Sequence, residues 1–323
     1  MSRPTSLSLP PRARVRRLET SRGSFAALEC TPPDEVPLTG AVLMVPGFIG
    51  SKEDFLPLLE PLSAAGIRTV AVDGRGQHET PGPEDEAAYA QDELAADVRA
   101  LSAAIVEDGS SAVPLHLLGH SLGGVIARAA VLSTASPHPW SSLTLMSSGP
   151  AAIQPEQQKR VQLLTQWLPV LGKEQLWHEM QKLEEREAPS AELAEFLHRR
   201  WVNTVPQQLV VTGRQLTEEP DRVNELAAAS LPVLVVCGQE DYAWPVSWQR
   251  DMAARLGAVS AVIENSAHSP NAENPAETAR VLISFWGSLT GSTHVEARHP
   301  TAPPHARGLP IEQLCPVVGG NER

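Results

Sequence analysis

Apolar residues along this chain follow two alternating patterns. Apolar-rich runs occur at residues 41–45, 67–72, 115–118, 143–147, 232–237 and 258–263. Between them, apolar positions recur every three or four residues. Phe55, Leu58, Leu59 and Leu62 form one such stripe, and Leu94, Val98, Leu101 and Ile105 another. The short continuous runs fit strands buried on both faces, and the 3.6-residue period fits amphipathic helices. Residues 52–65, 122–132 and 275–286 also read as helices, the last opened by Pro275. Strands alternating with helices imply right-handed crossovers and a mostly parallel sheet covered on both faces. Residues 15–19 and 24–30 are expected to add an antiparallel hairpin at one edge.

The rhythm breaks between residues 150 and 228, where no strand pattern appears. Leu176, Met180 and Leu183 form one helical stripe, and Leu193, Leu197 and Trp201 another. Pro169, Pro189, Pro206 and Pro220 are expected to punctuate this segment into about four helices. The expected organisation is a core over residues 15–149 and 229–288, with a helical cap at 150–228 inserted between two strands. Residues 1–14 and 289–323 are poor in apolar periodicity and are expected to be flexible tails. His294, His299 and His305 fall in the second tail and read as solvated residues.

Composition narrows the function classes. The chain has 323 residues and a formal net charge of −12, a balance that repels nucleic acid and anionic membrane surfaces. No run of about 18 apolar residues suggests a membrane span. Cys30, Cys237 and Cys315 are widely spaced and match no zinc pattern. With no apolar run of signal-peptide type near Met1, a cytoplasmic protein is expected. No dinucleotide-binding, Walker or metal-ligand spacing appears, so no cofactor and no metal are expected. Homo-oligomerisation is left open.

The most informative stretch is Gly119-His120-Ser121-Leu122-Gly123-Gly124. It holds a G-x-S-x-G pattern between an apolar strand and a helix. A sharp turn there lifts a seryl oxygen above the sheet, with the helix N-terminus beneath it to favour developing negative charge. Ser121 is therefore the candidate nucleophile. His120 adjoins it in sequence, but neighbours on such a turn point in different directions, so a structural or pocket-lining role is expected.

With this motif the chain resembles the α/β-hydrolase family. The resemblance extends over roughly residues 15–288. It rests also on Val45-Pro46-Gly47-Phe48-Ile49-Gly50-Ser51, Asp73-Gly74-Arg75-Gly76, Gly238-Gln239-Glu240-Asp241 and Ala267-His268-Ser269-Pro270. The fold it implies is α/β, a mostly parallel central sheet with helices on both faces and a helical cap. One departure is Pro46-Gly47, where many members have His-Gly. The family's chain order of nucleophile, acid and base implies Asp241 as acid, with Glu240 its immediate rival, and His268 as base. It implies backbone N–H groups of Phe48 and Leu122 as an oxyanion hole. It implies a structural loop at Asp73 and Arg75. His78 stands where many relatives have a small residue and is a candidate for the pocket entrance. Trp167, Trp177 and Trp201 are candidates for contacting substrate, although tryptophan at helical spacing more often packs in a cap core, and Trp244, close after the acid, is the stronger candidate for lining the pocket.

The expected function is a serine hydrolase acting on a carboxylic ester or related acyl bond of a small, hydrophobic substrate. The same triad serves lactonases, thioesterases, C–C bond hydrolases, peroxyacid-forming enzymes and acyltransferases, so these remain open. So does a non-catalytic binding protein. A serine nucleophile argues against the dehalogenase and epoxide hydrolase chemistry that uses Asp. The apolar stripes of the cap are expected to wall a hydrophobic pocket, with Leu164, Trp167 and Leu168 the first side chains to test.

Overall fold

A computed structural model of the chain describes residues 3–110, 112–182 and 189–290. The tail histidines, Cys315, Leu183 and most of the segment 289–323 lie outside the described residues.

Eight strands form one sheet: β1 (Ala13–Thr20), β2 (Gly23–Cys30), β3 (Gly40–Val45), β4 (Ile67–Val72), β5 (Leu115–His120), β6 (Ser142–Met146), β7 (Val233–Gly238) and β8 (Val259–Ile263). Their spatial order is β1-β2-β4-β3-β5-β6-β7-β8. The first two strands form the expected edge hairpin, and β2 pairs antiparallel with β4. All other pairings are parallel. Every residue of β3, β4, β5, β6 and β7 is buried, which is why these strands appear in the sequence as apolar-rich runs without alternation, with Arg68, His116 and His120 among the buried polar exceptions.

The helices of the core are α1 (Leu56–Ala64), α2 (Gln91–Ile105), α3 (Leu122–Leu132), α8 (Val246–Leu256), α9 (Pro270–Glu273) and α10 (Pro275–Thr290). One apolar layer on α2 and α3 covers one face of the sheet, and α1 and α10 cover the other. Leu94, Val98, Leu101 and Ile105 of α2 all point into the first layer. Gly257, with φ 61°, ends α8 in the left-handed conformation that a glycine reaches without steric cost. Lys52–Phe55 is a short 3-10 turn leading into α1 rather than part of one long helix.

Between β6 and β7 lie α4 (Pro155–Lys182), α5 (Ala191–Asn203), α6 (Pro206–Glu218) and α7 (Val223–Ala228). Pro169 does not separate two helices as expected. The path continues past it and turns at Gly172, where φ is 73° and ψ is 169°. Glycine reaches that conformation readily, whereas proline is tolerated where its neighbours already lack a regular bond pattern. Leu164, Leu168, Leu176, Phe196, Leu197, Trp201 and Leu209 form a third apolar cluster, which also takes in Ile49 from the loop after β3. Two buried ion pairs fasten these helices to the core. Arg200 of α5 reaches Asp54 at 2.9 Å with both side chains fully buried, and Arg128 of α3 reaches Glu219 at 2.8 Å.

The chain passes from β3 outward to β4, then back across to β5 on the other side of β3. Such a reversal opens a crevice at the carboxyl ends of the two strands. Val45 and Gly119 are paired there, so the loops leaving β3 and β5 emerge side by side.

Candidate active site

The turn after β5 explains the glycines of the motif. Ser121 has φ 56° and ψ −119°, a conformation costly for a residue with a Cβ. A Cβ on Gly119 would come within 2.2 Å of the Gly123 carbonyl oxygen, and one on Gly123 within 2.2 Å of the Val45 oxygen. Only hydrogen fits at either position, so α3 can begin directly beneath Ser121. The Ser121 N–H donates to Met146 O at 2.9 Å, anchoring the turn to β6.

His268 stands between Ser121 and Asp241. Its Nε2 lies 2.9 Å from Ser121 Oγ, and its Nδ1 lies 2.9 Å from Asp241 Oδ1. Asp241 leaves the end of β7 and is buried. Its Oδ1 also accepts from the Ala243 and Trp244 N–H groups, and its Oδ2 accepts from Gln249 Nε2 at 2.9 Å. Burial opposes its charge, but the His268 side chain and these donors outweigh it and hold the carboxyl below the usual carboxylate range. An ionised carboxylate only accepts, so Nδ1 of His268 carries the proton. Nε2 is then free to accept from the seryl hydroxyl. The rival Glu240 is exposed and has no part in this chain of bonds.

Two further groups at the site, Gln249 and Glu273, gave no signal in the sequence, whereas a third, His120, was expected to be structural or pocket-lining. Gln249, fully buried on α8, ties Asp241 Oδ2 to the Trp244 carbonyl. Glu273 on α9 accepts the N–H groups of Ala267 and Ser269, on either side of His268. His120 is buried, and its Nε2 lies 2.7 Å from the His268 carbonyl. A carbonyl only accepts, so Nε2–H donates, and burial pushes His120 down to about 4, which keeps it neutral. These contacts join residues 4 to 148 positions apart and follow no recurrent spacing.

The loop after β3 lies against the serine. A Cβ on Gly47 would sit 3.1 Å from Ser121 Cβ, and Gln77 Nε2 donates to the Gly47 carbonyl at 3.0 Å. Phe48, next in the loop, is half-buried against the helical cluster. Leu122 opens α3, where first-turn N–H groups have no partner within the helix.

The other candidates divide. Trp244 has no accessible surface. Its ring centroid is 6.2 Å from that of His268 and its Nε1 donates to Ala151 O, so it backs the imidazole rather than facing a cavity. Tyr242, not singled out by the sequence, brings its ring to 5.2 Å from His268. Trp167 is 43% exposed on α4, while Leu164 and Leu168 of the same helix point inward. Asp73 holds its loop together, accepting from the Lys52 N–H, Lys52 Nζ and the Glu79 N–H. Arg75 instead reaches Asp97 of α2. His78 is buried, edge-on to Phe196 of α5, and burial pushes it down to about 4. A shallow apolar groove between α1 and α10, lined by Pro57, Pro61, Pro275 and Ile283, contains none of these groups. Among the described residues no helix is long and apolar enough to cross a membrane.

Comparison with known proteins agrees with this geometry at the level of family and fold. A family model described as the alpha/beta hydrolase family matches residues 42–281. Among solved structures, the chain is similar to a membrane phospholipase A described as a novel bacterial virulence factor. The identity is 24%, the match covers 87% of this chain and 88% of that one, and the TM-score is 0.69. It is similar to a thermophilic esterase from Thermogutta terrifontis at 20% identity, covering 85% and 99% of the two chains with TM-score 0.65. It is also similar to an esterase from Exiguobacterium antarcticum at 19% identity, covering 85% and 100% with TM-score 0.67. At these identities the likeness establishes the fold. A search of curated proteins finds no match.

Proposed function

The chain belongs to the alpha/beta hydrolase family, and on that premise we propose that it is a serine hydrolase cleaving a carboxylic ester or related acyl bond. The observation that carries the proposal is His268 held between Ser121 and an ionised Asp241, at 2.9 Å from each. A seryl hydroxyl needs a base within hydrogen-bond reach, and the base needs a carboxylate to fix its tautomer.

In the proposed reaction Ser121 Oγ attacks the acyl carbonyl carbon while His268 Nε2 takes the hydroxyl proton. The imidazolium that forms is stabilised by Asp241. The oxyanion is held by the Phe48 and Leu122 N–H groups, donors of a kind worth about 3 kcal/mol each to the transition state. His268 passes its proton to the departing alkoxide, leaving an acyl-serine. Water then attacks the acyl carbon, giving one proton to His268. The carboxylic acid leaves as Ser121 regains that proton.

The helices at 155–228 act as a cap in this proposal. Ile49 and Phe48, neighbours in the oxyanion loop, pack against Leu164, Leu168 and the rest of the helical cluster. That apolar wall favours a hydrophobic acyl group. Ser121→Ala is expected to fold as the parent and to lose p-nitrophenyl ester hydrolysis by on the order of 10³-fold or more. Near-parental turnover by the variant would refute the assignment. Lactone and thioester panels run beside the esters assign the bond type.

A further inference from the structure

We propose that Glu53, His78 and Glu79 form a binding site for a divalent transition cation of the zinc type, separate from the triad. The site lies where the turn after β3 meets the loop after β4, under α5. One ligand atom from each of the three residues lies within 4.8 Å of the other two. Around an ion with bonds of about 2.1 Å, ligands are roughly 3.4 Å apart, so each needs to move inward by up to about 0.8 Å.

Lys52 explains why the carboxylates are gathered here and why they do not satisfy one another. Its buried Nζ contacts Glu53 Oε1 at 2.8 Å, Asp73 Oδ2 at 2.9 Å and Glu79 Oε2 at 2.7 Å. Three carboxylates around one ammonium leave two formal negative charges. The nearby Asp54 is already neutralised by Arg200. Lys52 also uses only one oxygen of each glutamate. Glu53 Oε2 is buried without a hydrogen-bond partner, and Glu79 Oε1 faces His78 Nε2 at 4.0 Å.

His78 is the independent pointer to a ligand. Its side chain is 2% exposed, its Nδ1 is buried without a hydrogen-bond partner, and its Nε2, the nitrogen that faces the carboxylates, comes only to 4.0 Å from Glu79 Oε1, too far for a hydrogen bond. A buried polar atom left unpaired costs about 1–3 kcal/mol, so such atoms call for an explanation. Two carboxylate oxygens and one imidazole nitrogen suit Zn²⁺ and its first-row neighbours better than Mg²⁺ or Ca²⁺, which prefer oxygen alone. The His78 N–H donates to Thr204 Oγ1 and its ring meets Phe196. An ion bound here would therefore fasten both loops beneath α5 and stabilise the folded chain by mass action.

The test is calorimetric titration of ZnCl₂ into the EDTA-stripped full chain, with melting temperature followed in parallel. The expected result is one equivalent bound and a melting temperature that rises with Zn²⁺ concentration. Replacing His294, His299 and His305 together by Ala should leave both effects intact, which separates this site from the tail histidines. Glu53→Gln and His78→Asn should each abolish them. Asn tolerates the left-handed backbone at position 78, where φ is 45°, so the second variant keeps the loop. The proposal is overturned if the parent chain shows no saturable binding. It is also overturned if stoichiometric binding survives His78→Asn or disappears with the tail histidines.

Discussion

Strands β3 to β7 keep every side chain buried, whereas α4 leaves Leu163, Trp167 and Val170 exposed at 55%, 43% and 69%. The sheet holds its functional groups by backbone geometry. Ser121 sits on a turn that only glycines permit, and Asp241 has both carboxylate oxygens occupied by donors. The inserted helices are held largely by side chains: their own apolar cluster, the packing of Leu216, Val223 and Leu226 into the core of the sheet, and the buried pairs Arg200–Asp54 and Arg128–Glu219. Breaking such a pair from one side costs about 3–5 kcal/mol, so the pairs fix where the helices sit even if they add little net stability. The two regions are thus built differently: under the proposed function, one atom out of place in the base should stop the reaction, whereas side-chain changes in the inserted helices should be graded in effect.

The comparison can be broken at its rigid end first. Asp241→Asn is expected to lower kcat by on the order of 10³–10⁴-fold, because an amide no longer fixes the His268 tautomer or balances its charge. Glu240→Gln, one residue away and exposed, should stay within about twofold of the parent. Steady-state kinetics on one p-nitrophenyl ester checks both, and a reversed order would move the acid by one residue.

At the graded end, Leu164→Ala and Leu168→Ala should change kcat/KM for long-chain relative to acetyl esters by several-fold, leaving acetyl ester turnover near that of the parent. Each truncation removes about 2–3 kcal/mol of buried contact from the cluster that touches Ile49. Equal losses on all chain lengths would show that the helices support the catalytic groups rather than select the substrate.

A further test of the rigid end concerns stability in the sheet. His116 on β5 stacks on Trp286 with its Nδ1 2.8 Å from Ser142 Oγ, and burial pushes it from 6.5 down to about 4. The folded chain thus resists a proton that the unfolded chain accepts. Stability attributable to His116 is complete above pH 6.5 and is lost as the pH falls toward 4, by up to about 3 kcal/mol. Denaturant melts at pH 7 and pH 4.5 should show a smaller loss for His116→Gln than for the parent. An identical loss would mean that His116 is not the group that titrates.

The same two regions differ in how far they were legible from sequence. Runs such as residues 67–72 match β4 end to end, because burial on both faces selects mostly apolar side chains; the charged exception, Arg68, is buried in an ion pair with Glu29. The elbow was legible because Gly119 and Gly123 are forced by contacts within 2.2 Å. In the helices, Pro169 drew attention while Gly172 makes the turn, since proline preferences are overridden by packing. Leu164, Trp167 and Leu168 were singled out together, but only the two leucines face inward, since the sequence alone does not show which side of the helix is covered. Gln249 and Glu273 gave no signal because a single polar side chain on a helix makes no pattern, although their partners lie only 4 to 8 positions away; His120, expected to be structural or pocket-lining, reaches the His268 carbonyl across the fold. The cluster of Glu53, His78 and Glu79 was hidden for a related reason: 25 residues separate its two parts, and only the pairing of β3 with β4 brings them together.

The central claim is that Ser121 is made nucleophilic by His268 and Asp241, and covalent capture tests it most directly. The full chain is treated with a fluorophosphonate at neutral pH, and the adduct is located by intact-mass and peptide mass spectrometry. The account predicts a single phosphonyl group on Ser121, formed rapidly in the parent, slowly in Asp241→Asn and not at all in Ser121→Ala. A parent chain that stays unmodified while binding ester analogues tightly, or an adduct on any other residue, would contradict it.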